Sequence, residues 1–315
     1  MRRFSLLLGI AAVAVLHAPA FAATSYPLEL DNCGFKVSFA QAPERVVTIK
    51  STATEMLLAL GLGSRIVGIG FQDGPVPDQW QSAAANLKVL AEKMPSQEVV
   101  LETEPDLVYG GWESNFAADA AGERATLGEL GIASYVSPAA CRTAPYQPVK
   151  LSFDDVFAQI EEMGSIFDVT PAAETLVASQ RTALAAVAKD ARGLTAVWYS
   201  SGTKAPYVGA GAGAPEMMLE QIGLKNIMAS TPEGWISASW EAVVDANPNV
   251  IVLVDSAWNS AAQKKKLLAE NPITSGLDAV KNQRYLIVPF PASEAGVRSV
   301  DATADLAAQL AALSF

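Results

Sequence analysis

Residues 170–191 read TPAAETLVASQRTALAAVAKDA, and this stretch lies near the middle of a 315-residue chain. Thr170 is a residue type that caps helix starts, and Pro171 suits the first helical position, where no N–H is needed. Apolar residues recur at helical spacing, and two cations followed by Gly193 favour a helix end. The pattern predicts one helix over residues 170–192, about 30 Å long. An ordinary surface helix is the alternative, and the flanking sequence decides between them.

Strand and helix patterns alternate on both sides of this helix. The predicted strands, after a hairpin at 26–39, are 46–49, 66–69, 106–109, 133–136, 196–199, 250–254 and 285–289. The predicted helices are 55–60, 96–102, 120–130, 153–167, 215–222 and 299–313. Alternation of this kind is typical of parallel βαβ units.

The two halves also share motifs. MLLALGL at 56–62 matches MLEQIGL at 218–224, and a Ser-x-Glu motif precedes a proline at the same spacing in both halves. We therefore predict an α/β fold of two Rossmann-like lobes, each with a mostly parallel sheet, joined by one long rigid interdomain helix. The predicted boundaries are residues 23–169 for the N-terminal lobe, 170–192 for the helix and 193–315 for the C-terminal lobe.

The first 22 residues are typical of a secretory signal peptide. Arg2 and Arg3 precede the apolar run LLLGIAAVAVL, and Ala20-Phe21-Ala22 is a cleavage pattern. Cleavage would remove both arginines and change the formal charge from −11 to −13. No other apolar run is long enough to cross a bilayer, so we expect a soluble, periplasmic protein. The acidic charge argues against nucleic acid or anionic lipid as a partner.

Histidine and cysteine usage limits the possible chemistry. The single histidine, His17, lies in the predicted signal, which excludes Ser-His-Asp and Cys-His catalysis and histidine-rich metal sites in the mature chain. Enzymes based on carboxylates or lysine stay possible, but we expect no catalytic residue, metal site or cofactor. Cys33 and Cys141 either form a disulfide, which would close a loop worth about 4–5 kcal/mol, or are two buried thiols.

Four segments resemble the periplasmic solute-binding proteins of ATP-driven (ABC) importers that carry iron-siderophores, haem or cobalamin. These are PERVVTIKSTATEMLLALGLGSRIVGIG, EVVLETEPDLVYGG, PEMMLEQIGLKNI and SWEAVVDANPNVIVL. The resemblance implies a monomeric receptor with a ligand held between two lobes that close by only a few degrees. LDNCG and SPAACR resemble a subset proposed to take a deazaflavin coenzyme precursor, so the ligand stays open among these classes.

The resemblance also implies partners, namely an ABC permease and its ATPase. Glu98 and Glu241 occupy matched positions, one per predicted lobe, and in the family such glutamates pair with arginines of the permease. The alternative is that they only complement helix dipoles. No Walker A sequence is present, so ATP hydrolysis belongs to a partner.

Candidate ligand contacts lie in loops after strand ends, where α/β sheets place their sites, and in the loop around Trp235. Aromatic residues there suit a flat or macrocyclic ligand, while Lys50 and Arg298 could hold an anion or be ordinary surface charges. The candidates are Lys50, Ser51, Thr52, Tyr109, Trp112, Glu113, Ser137, Tyr199, Tyr207, Trp235, Trp258 and Arg298.

Three other features have simpler interpretations. Glu55 is expected to cap its helix, and GAGAG at 209–213 lacks the dinucleotide-binding spacing and is expected to be a flexible loop. The lysines at 264–266 are expected to form a solvated helix face. An exported carboxylate-dependent hydrolase and an adhesion module are the alternatives to a transport receptor.

Overall fold

The computed structural model describes residues 23–315. The predicted signal peptide, with His17, lies outside the described residues. The remaining chain forms two α/β lobes with a helical segment between them. Within residues 23–315, no helix is both long and apolar enough to cross a membrane.

The N-terminal lobe begins with an antiparallel hairpin, β1 (Leu28–Asn32) and β2 (Phe35–Phe39). A five-stranded sheet with all strands parallel follows, in the order β5-β4-β3-β6-β7. Its strands are β3 (Val46–Ile49), β4 (Ile66–Gly70), β5 (Val89–Ala91), β6 (Leu107–Gly110) and β7 (Ala133–Val136). Its helices are α1 (Ser51–Ala59), α2 (Asp78–Ala84), α3 (Gln97–Leu101) and α4 (Arg124–Glu129).

The C-terminal lobe contains a six-stranded mixed sheet, in the order β11-β9-β8-β12-β13 with β10 beside β8. Its strands are β8 (Thr195–Ser201), β9 (Tyr207–Gly209), β10 (Lys225–Asn226), β11 (Trp235–Ser237), β12 (Val250–Asp255) and β13 (Tyr285–Pro289). Strands β9 and β11 run antiparallel to their neighbours, and the other pairs are parallel. Its helices are α7 (Ala214–Gln221), α8 (Trp240–Ala246), α9 (Ala261–Glu270), α10 (Asp278–Lys281) and α11 (Ser299–Ala312).

Two helices connect the lobes, α5 (Phe153–Ile166) and α6 (Thr170–Ala185). Helix α6 has 16 residues, so it is about 24 Å long. The helices pack closely because Gly164 has no side chain, and a Cβ there would lie 2.5 Å from the Ala173 Cβ. One hydrophobic cluster runs from the N-terminal sheet through both helices to α7 and α11. One face of α6, with Ala173 and Val177, therefore packs on a core that both lobes share.

The predicted helix over 170–192 is correct in place but too long. It ends at Ala185, so Lys189 and Arg192 lie beyond it, and the N-cap is Val169 rather than Thr170. Beyond the helix, the Asp190 N–H donates to the Ile222 carbonyl at 2.9 Å, so the chain there contacts the C-terminal lobe instead of continuing as a helix. Domain boundaries at residues 169 and 193 stay predictions.

The predicted disulfide between Cys33 and Cys141 is present, with a sequence separation of 108. It joins the β1–β2 turn to the segment after β7. The Tyr146 hydroxyl also donates to Asp31 at 2.9 Å, so the hairpin is tied to this segment twice. The buried face of the hairpin and the disulfide together fix the segment around Cys141, which lies between the lobes.

Three smaller expectations are wrong. Helix α1 already begins at Ser51, and Glu55 does not cap it. Lys264 is buried, and its Nζ donates to the carbonyls of Val254 and Asn259 at 2.6 and 2.5 Å, so only part of the 264–266 run is solvated. The GAGAG segment is not a free loop, since the N–H groups of residues 210–212 donate to carbonyls at 231–234.

Candidate functional site

A cavity of about 630 Å³ lies between the lobes, at the carboxyl ends of the parallel strands of both sheets. Most of its wall is uncharged and consists of hydroxyl groups, aromatic rings, glycines and alanines. The charged side chains in the wall are Arg142, Glu233 and Glu294. Arg142 and Glu233 are exposed, while Glu294 is partly buried.

The C-terminal lobe contributes an aromatic platform made of Tyr207 and Trp235. Their rings stack with centroids 5.8 Å apart and an interplanar angle of 12°. The pairing of β9 with β11 places these side chains on neighbouring strands. Both residues line the cavity, so the platform offers a flat apolar surface to a ligand.

Trp112 and Glu294 connect the lobes beside the cavity. Trp112 follows β6 of the N-terminal lobe, and its Nε1 donates to both carboxylate oxygens of Glu294, at 3.0 and 2.9 Å. Burial raises the pKa of Glu294 to about 7, and Asp73 adds to this rise while Lys50 opposes it. The Glu294 carboxyl is therefore easier to protonate near neutral pH than an exposed glutamate.

Lys50 lies behind Trp112, in a site formed by both lobes. Its ammonium pairs with Asp73 and lies 3.5 Å from the Trp112 ring centroid, 4.2 Å from that of Phe71 and 5.3 Å from that of Phe290. Burial lowers the pKa of Lys50, while Asp73 and Glu294 oppose this effect. The lysine is therefore fixed by a carboxylate and by three aromatic rings.

Lys50 also has an unusual backbone conformation, with φ 79° and ψ 149° at the N-cap of α1. This region favours glycine and costs other residues on the order of 1–3 kcal/mol. The Ser51 N–H donates to Asp73, and the Asp73 N–H donates to the Ser51 hydroxyl at 2.9 Å. This reciprocal pair holds the strained turn in place.

A second buried ion pair, unlike Lys50–Asp73, joins residues of different lobes. Arg298 of the C-terminal lobe forms a two-point pair with Glu55 of α1 and also donates to the Pro75 carbonyl at 2.8 Å. The Glu55 side chain is 1% exposed and that of Arg298 is 14% exposed. Arg298 is therefore not an ordinary surface charge, and Glu55 contacts the opposite lobe instead of capping its helix.

Thr52 and Ser137 are hydroxyl groups of the N-terminal lobe that line the cavity. Ser137 belongs to a buried hydrogen-bond group, since Gln159 Nε2 donates to Tyr109 Oη at 2.7 Å and to Ser137 Oγ at 3.3 Å. Thr52 Oγ1 is buried and has no hydrogen-bond partner among residues 23–315. This hydroxyl oxygen is enclosed by protein, so it is not exposed at the surface of the cavity.

The family model of periplasmic binding proteins matches residues 46–292. The chain belongs to the periplasmic binding protein family. The match covers both lobes and the helices between them, and the protein is a substrate-binding protein of the ABC-transporter type.

Three relatives resemble this periplasmic binding protein over most of its length. A periplasmic binding protein from Veillonella parvula superposes with a TM-score of 0.81 at 28% identity, covering 91% of this chain and 98% of that one. An ABC-type Fe³⁺-hydroxamate transport protein from Saccharomonospora viridis gives 0.77 at 27% identity, covering 91% and 100%. The uncharacterized ABC transporter substrate-binding lipoprotein YvrC of Bacillus subtilis is 25% identical, covering 90% and 85%.

The structure brings five of the twelve predicted ligand residues to the cavity wall of this periplasmic binding protein. These are Thr52, Trp112, Ser137, Tyr207 and Trp235. That they contact a ligand stays a prediction.

The other seven predicted residues lie outside the wall. Lys50, Ser51, Tyr109 and Tyr199 are buried, and Tyr199 donates its hydroxyl proton to the Gly202 carbonyl at 2.8 Å. Glu113 supports the wall, because the Arg142 N–H donates to it at 2.6 Å. Trp258 is 61% exposed and packs edge-on against Phe290 with centroids 5.3 Å apart. Arg298 is paired with Glu55.

Sequence reasoning missed Arg142, Glu233 and Glu294 as wall residues. Glu294 lies in the loop after the predicted strand at 285–289, so its position could be found from sequence, but its hydrogen bond to Trp112 could not. No group of three or more His, Cys, Asp or Glu side chains that could hold a metal ion exists among residues 23–315.

Glu98 and Glu241 both lie in the first turns of short helices, α3 and α8. The side-chain oxygens of Ser96 and Ser239 cap these helices. They accept hydrogen bonds from the backbone N–H groups of Val99 and Ala242, at 3.4 and 3.1 Å. Both glutamates are exposed, and neither forms an ion pair within the described part of the chain. They are available to a partner, one from each lobe.

Proposed function

We propose that this periplasmic binding protein captures a ferric hydroxamate-type chelate in the interlobe cavity and delivers it to the permease of an ABC importer. The observation that carries this proposal is the cavity itself, about 630 Å³ in size, with an aromatic platform and few charges. Hydroxamate chelates are bulky and carry little net charge, so a mostly uncharged wall suits them. The similarity to the Fe³⁺-hydroxamate transport protein of S. viridis supports the same class.

Cobalamin, haem and a deazaflavin coenzyme precursor are the alternative ligands for the same receptor role. A cavity of this size fits a siderophore more closely than a corrinoid with its nucleotide loop. Haem iron would need a protein ligand, and Tyr207 is the tyrosine of the described chain that lines the cavity. The aromatic platform suits a deazaflavin ring but leaves much of the cavity unfilled.

The receptor role implies two protein partners and a location. We propose that the chain acts in the periplasm as a monomer. Its partners are a permease that binds Glu98 and Glu241 and an ATPase that supplies the energy. We further propose that it catalyses no reaction and needs no cofactor of its own. Its relatives are transport proteins, which supports this view over the exported-hydrolase alternative.

The test is a titration of the purified full mature chain, followed by tryptophan fluorescence, because Trp112 and Trp235 lie in the cavity wall. The probes are ferrioxamine B, ferrichrome, haemin and cyanocobalamin. We expect the two ferric hydroxamates to bind with Kd values of about 1 μM or below, and the other two to bind at least tenfold more weakly. Tighter binding of haemin or cyanocobalamin, or chemical conversion of any bound probe, would contradict the proposal.

A further inference from the structure

The aromatic platform and Glu233 form one corner of the cavity wall. Glu233 lies two residues before Trp235, so their Cα atoms are at most about 7 Å apart. Both residues line the cavity together with Tyr207. Glu233 is exposed and Tyr207 is 40% exposed, so a ligand in the cavity can reach both side chains. An accessible carboxylate therefore lies beside accessible aromatic rings.

A neighbouring backbone segment holds this corner in place. The Ala212 N–H donates to the Glu233 carbonyl at 3.0 Å. A Cβ on Gly213 would lie 2.9 Å from the Gly234 Cα, so the missing side chain lets the two segments approach each other. The backbone that carries Glu233 and Trp235 is therefore fixed by the fold and needs no ligand to order it.

The carboxylate and the rings of this corner attract the same kind of group. Glu233 forms no ion pair with any cation of residues 23–315. The faces of tyrosine and tryptophan rings are electron-rich, so they attract an ammonium or guanidinium ion at short range. Trp235 covers one face of the Tyr207 ring, and the rest of that ring is accessible from the cavity. A cationic group can therefore contact a ring and the carboxylate together.

The other charges of the wall do not cancel this attraction. Burial raises the pKa of Tyr207, Arg142 opposes the rise, and Glu294 adds to it. Arg142 and Glu294 therefore act on the platform in opposite directions. Glu233 adds a negative charge that no described cation neutralises. The balance of charge around the rings thus favours a cation over an anion.

We propose that Glu233, Tyr207 and Trp235 form a subsite for a primary ammonium group carried by the ligand. The ammonium donates hydrogen bonds to the Glu233 carboxylate, and the rings contact its charge and the methylene chain behind it. The inference deepens the proposed function, and rests on it for the claim that this cavity is the ligand site. Among ferric hydroxamates, it selects those with a pendant amine over those that are neutral throughout.

The experiment compares two probes that differ in one charge. Ferrioxamine B carries a pendant primary ammonium, and its N-acetyl derivative carries a neutral amide there, while the iron centre is the same in both. Calorimetric titrations of the full mature chain give a Kd for each probe. We expect ferrioxamine B to bind about tenfold more tightly than the N-acetyl derivative, the combined effect of an exposed ion pair and a cation–π contact.

Variants locate the effect through the ratio of the two Kd values, which a general loss of cavity structure would not change. Glu233→Gln removes the charge and Trp235→Leu removes the ring, so each should lower the ratio to about threefold. Glu174→Gln makes the same chemical change on the exposed side of α6, away from the cavity, and should keep the ratio at about tenfold. Equal binding of the two probes by the wild type, an unchanged ratio in E233Q, or an equal fall in E174Q would each overturn the subsite.

The same proteins separate this inference from the proposed function. If both chelates bind equally well, the receptor proposal stands and the subsite fails. If no ferric hydroxamate binds, NMR titrations with pentylamine and N-pentylacetamide replace the chelate pair. A preference for pentylamine that falls in E233Q then means that the chelate class fails and the subsite stands, and no such preference means that both fail.

Discussion

Glu294 shows how a single residue can belong to both lobes. It lies in the C-terminal lobe, but Trp112 of the N-terminal lobe donates to it, and Lys50 and Asp73 influence its charge. Its raised pKa means that the folded protein holds a proton that the unfolded chain would release. Ionisation of Glu294 in the folded protein therefore lowers the free energy of unfolding.

This gives a prediction for E294Q. Because the folded pKa of about 7 lies above the unfolded value, wild-type stability should fall as pH rises from about 4.5 to about 7, whereas the neutral Gln has no such loss. We expect E294Q to match the wild type near pH 4.5 and to be more stable by about 1–3 kcal/mol at pH 8. Urea denaturation at several pH values measures this, and a constant difference across the range would contradict it.

The Arg298–Glu55 pair gives a second residue-scale prediction. Removing Arg298 leaves Glu55 buried and without its counter-charge, so R298A should lose about 3–5 kcal/mol. The exposed pair Arg181–Asp154 is the control, and R181A should lose less than about 1 kcal/mol. Denaturant midpoints give both values. Equal small losses in the two variants would mean that the interlobe pair contributes nothing.

The errors at Glu55, Arg298 and Lys50 share a physical origin, which is contact between the lobes. Glu55 and Arg298 are 243 positions apart, and Lys50 meets an aromatic ring from the opposite lobe. Burial created by contact between lobes leaves no periodic pattern in the sequence. Trp112 reaches the wall as predicted because the end of β6, a local feature, decides its position.

At the scale of elements, several buried strands follow from sequence alone. β3, β7 and β13 have the predicted limits, because each is a short segment with β-branched or aromatic residues between turn residues. The short strands β9 and β11 were missed, since three residues with glycine nearby give no alternation to recognise. These two strands carry the aromatic platform, so the least predictable elements build part of the cavity.

The disulfide gives a prediction at this scale. Cys141 itself lines the cavity, and its bond to Cys33 ties that wall to the first hairpin. C33S/C141S should lose about 4–5 kcal/mol, the entropy of closing a loop of this length, and should also bind ferrioxamine B more weakly. Thermal and urea denaturation give the first effect, and fluorescence titration gives the second. Unchanged binding would show that the wall keeps its place without the bond.

Over the whole molecule, three kinds of contact hold the lobes together: apolar packing, a backbone hydrogen bond and side-chain polar contacts. A shared core packs against α5 and one face of α6, and the Leu151 N–H donates to the Ala212 carbonyl at 2.8 Å. Two buried polar contacts also cross beside the cavity. Such a set of contacts resists wide opening, so the expectation that closure involves only a few degrees has a structural basis. On that expectation, the surfaces that the two lobes would offer to a permease keep nearly fixed separations.

Fixed separation makes the exposed glutamates of the two lobes a testable pair. E98R/E241R should abolish uptake of ferrioxamine B in cells, because each reversed charge would meet an arginine of the permease, while the affinity of the purified protein stays within about twofold. The matched control is D78R/D301R, which reverses exposed acids in the first turns of α2 and α11 and alters the helix dipoles and net charge equally. Normal uptake by the E98R/E241R cells, or equal loss in both double variants, would exclude specific docking, and lost affinity would place these residues in the binding site instead.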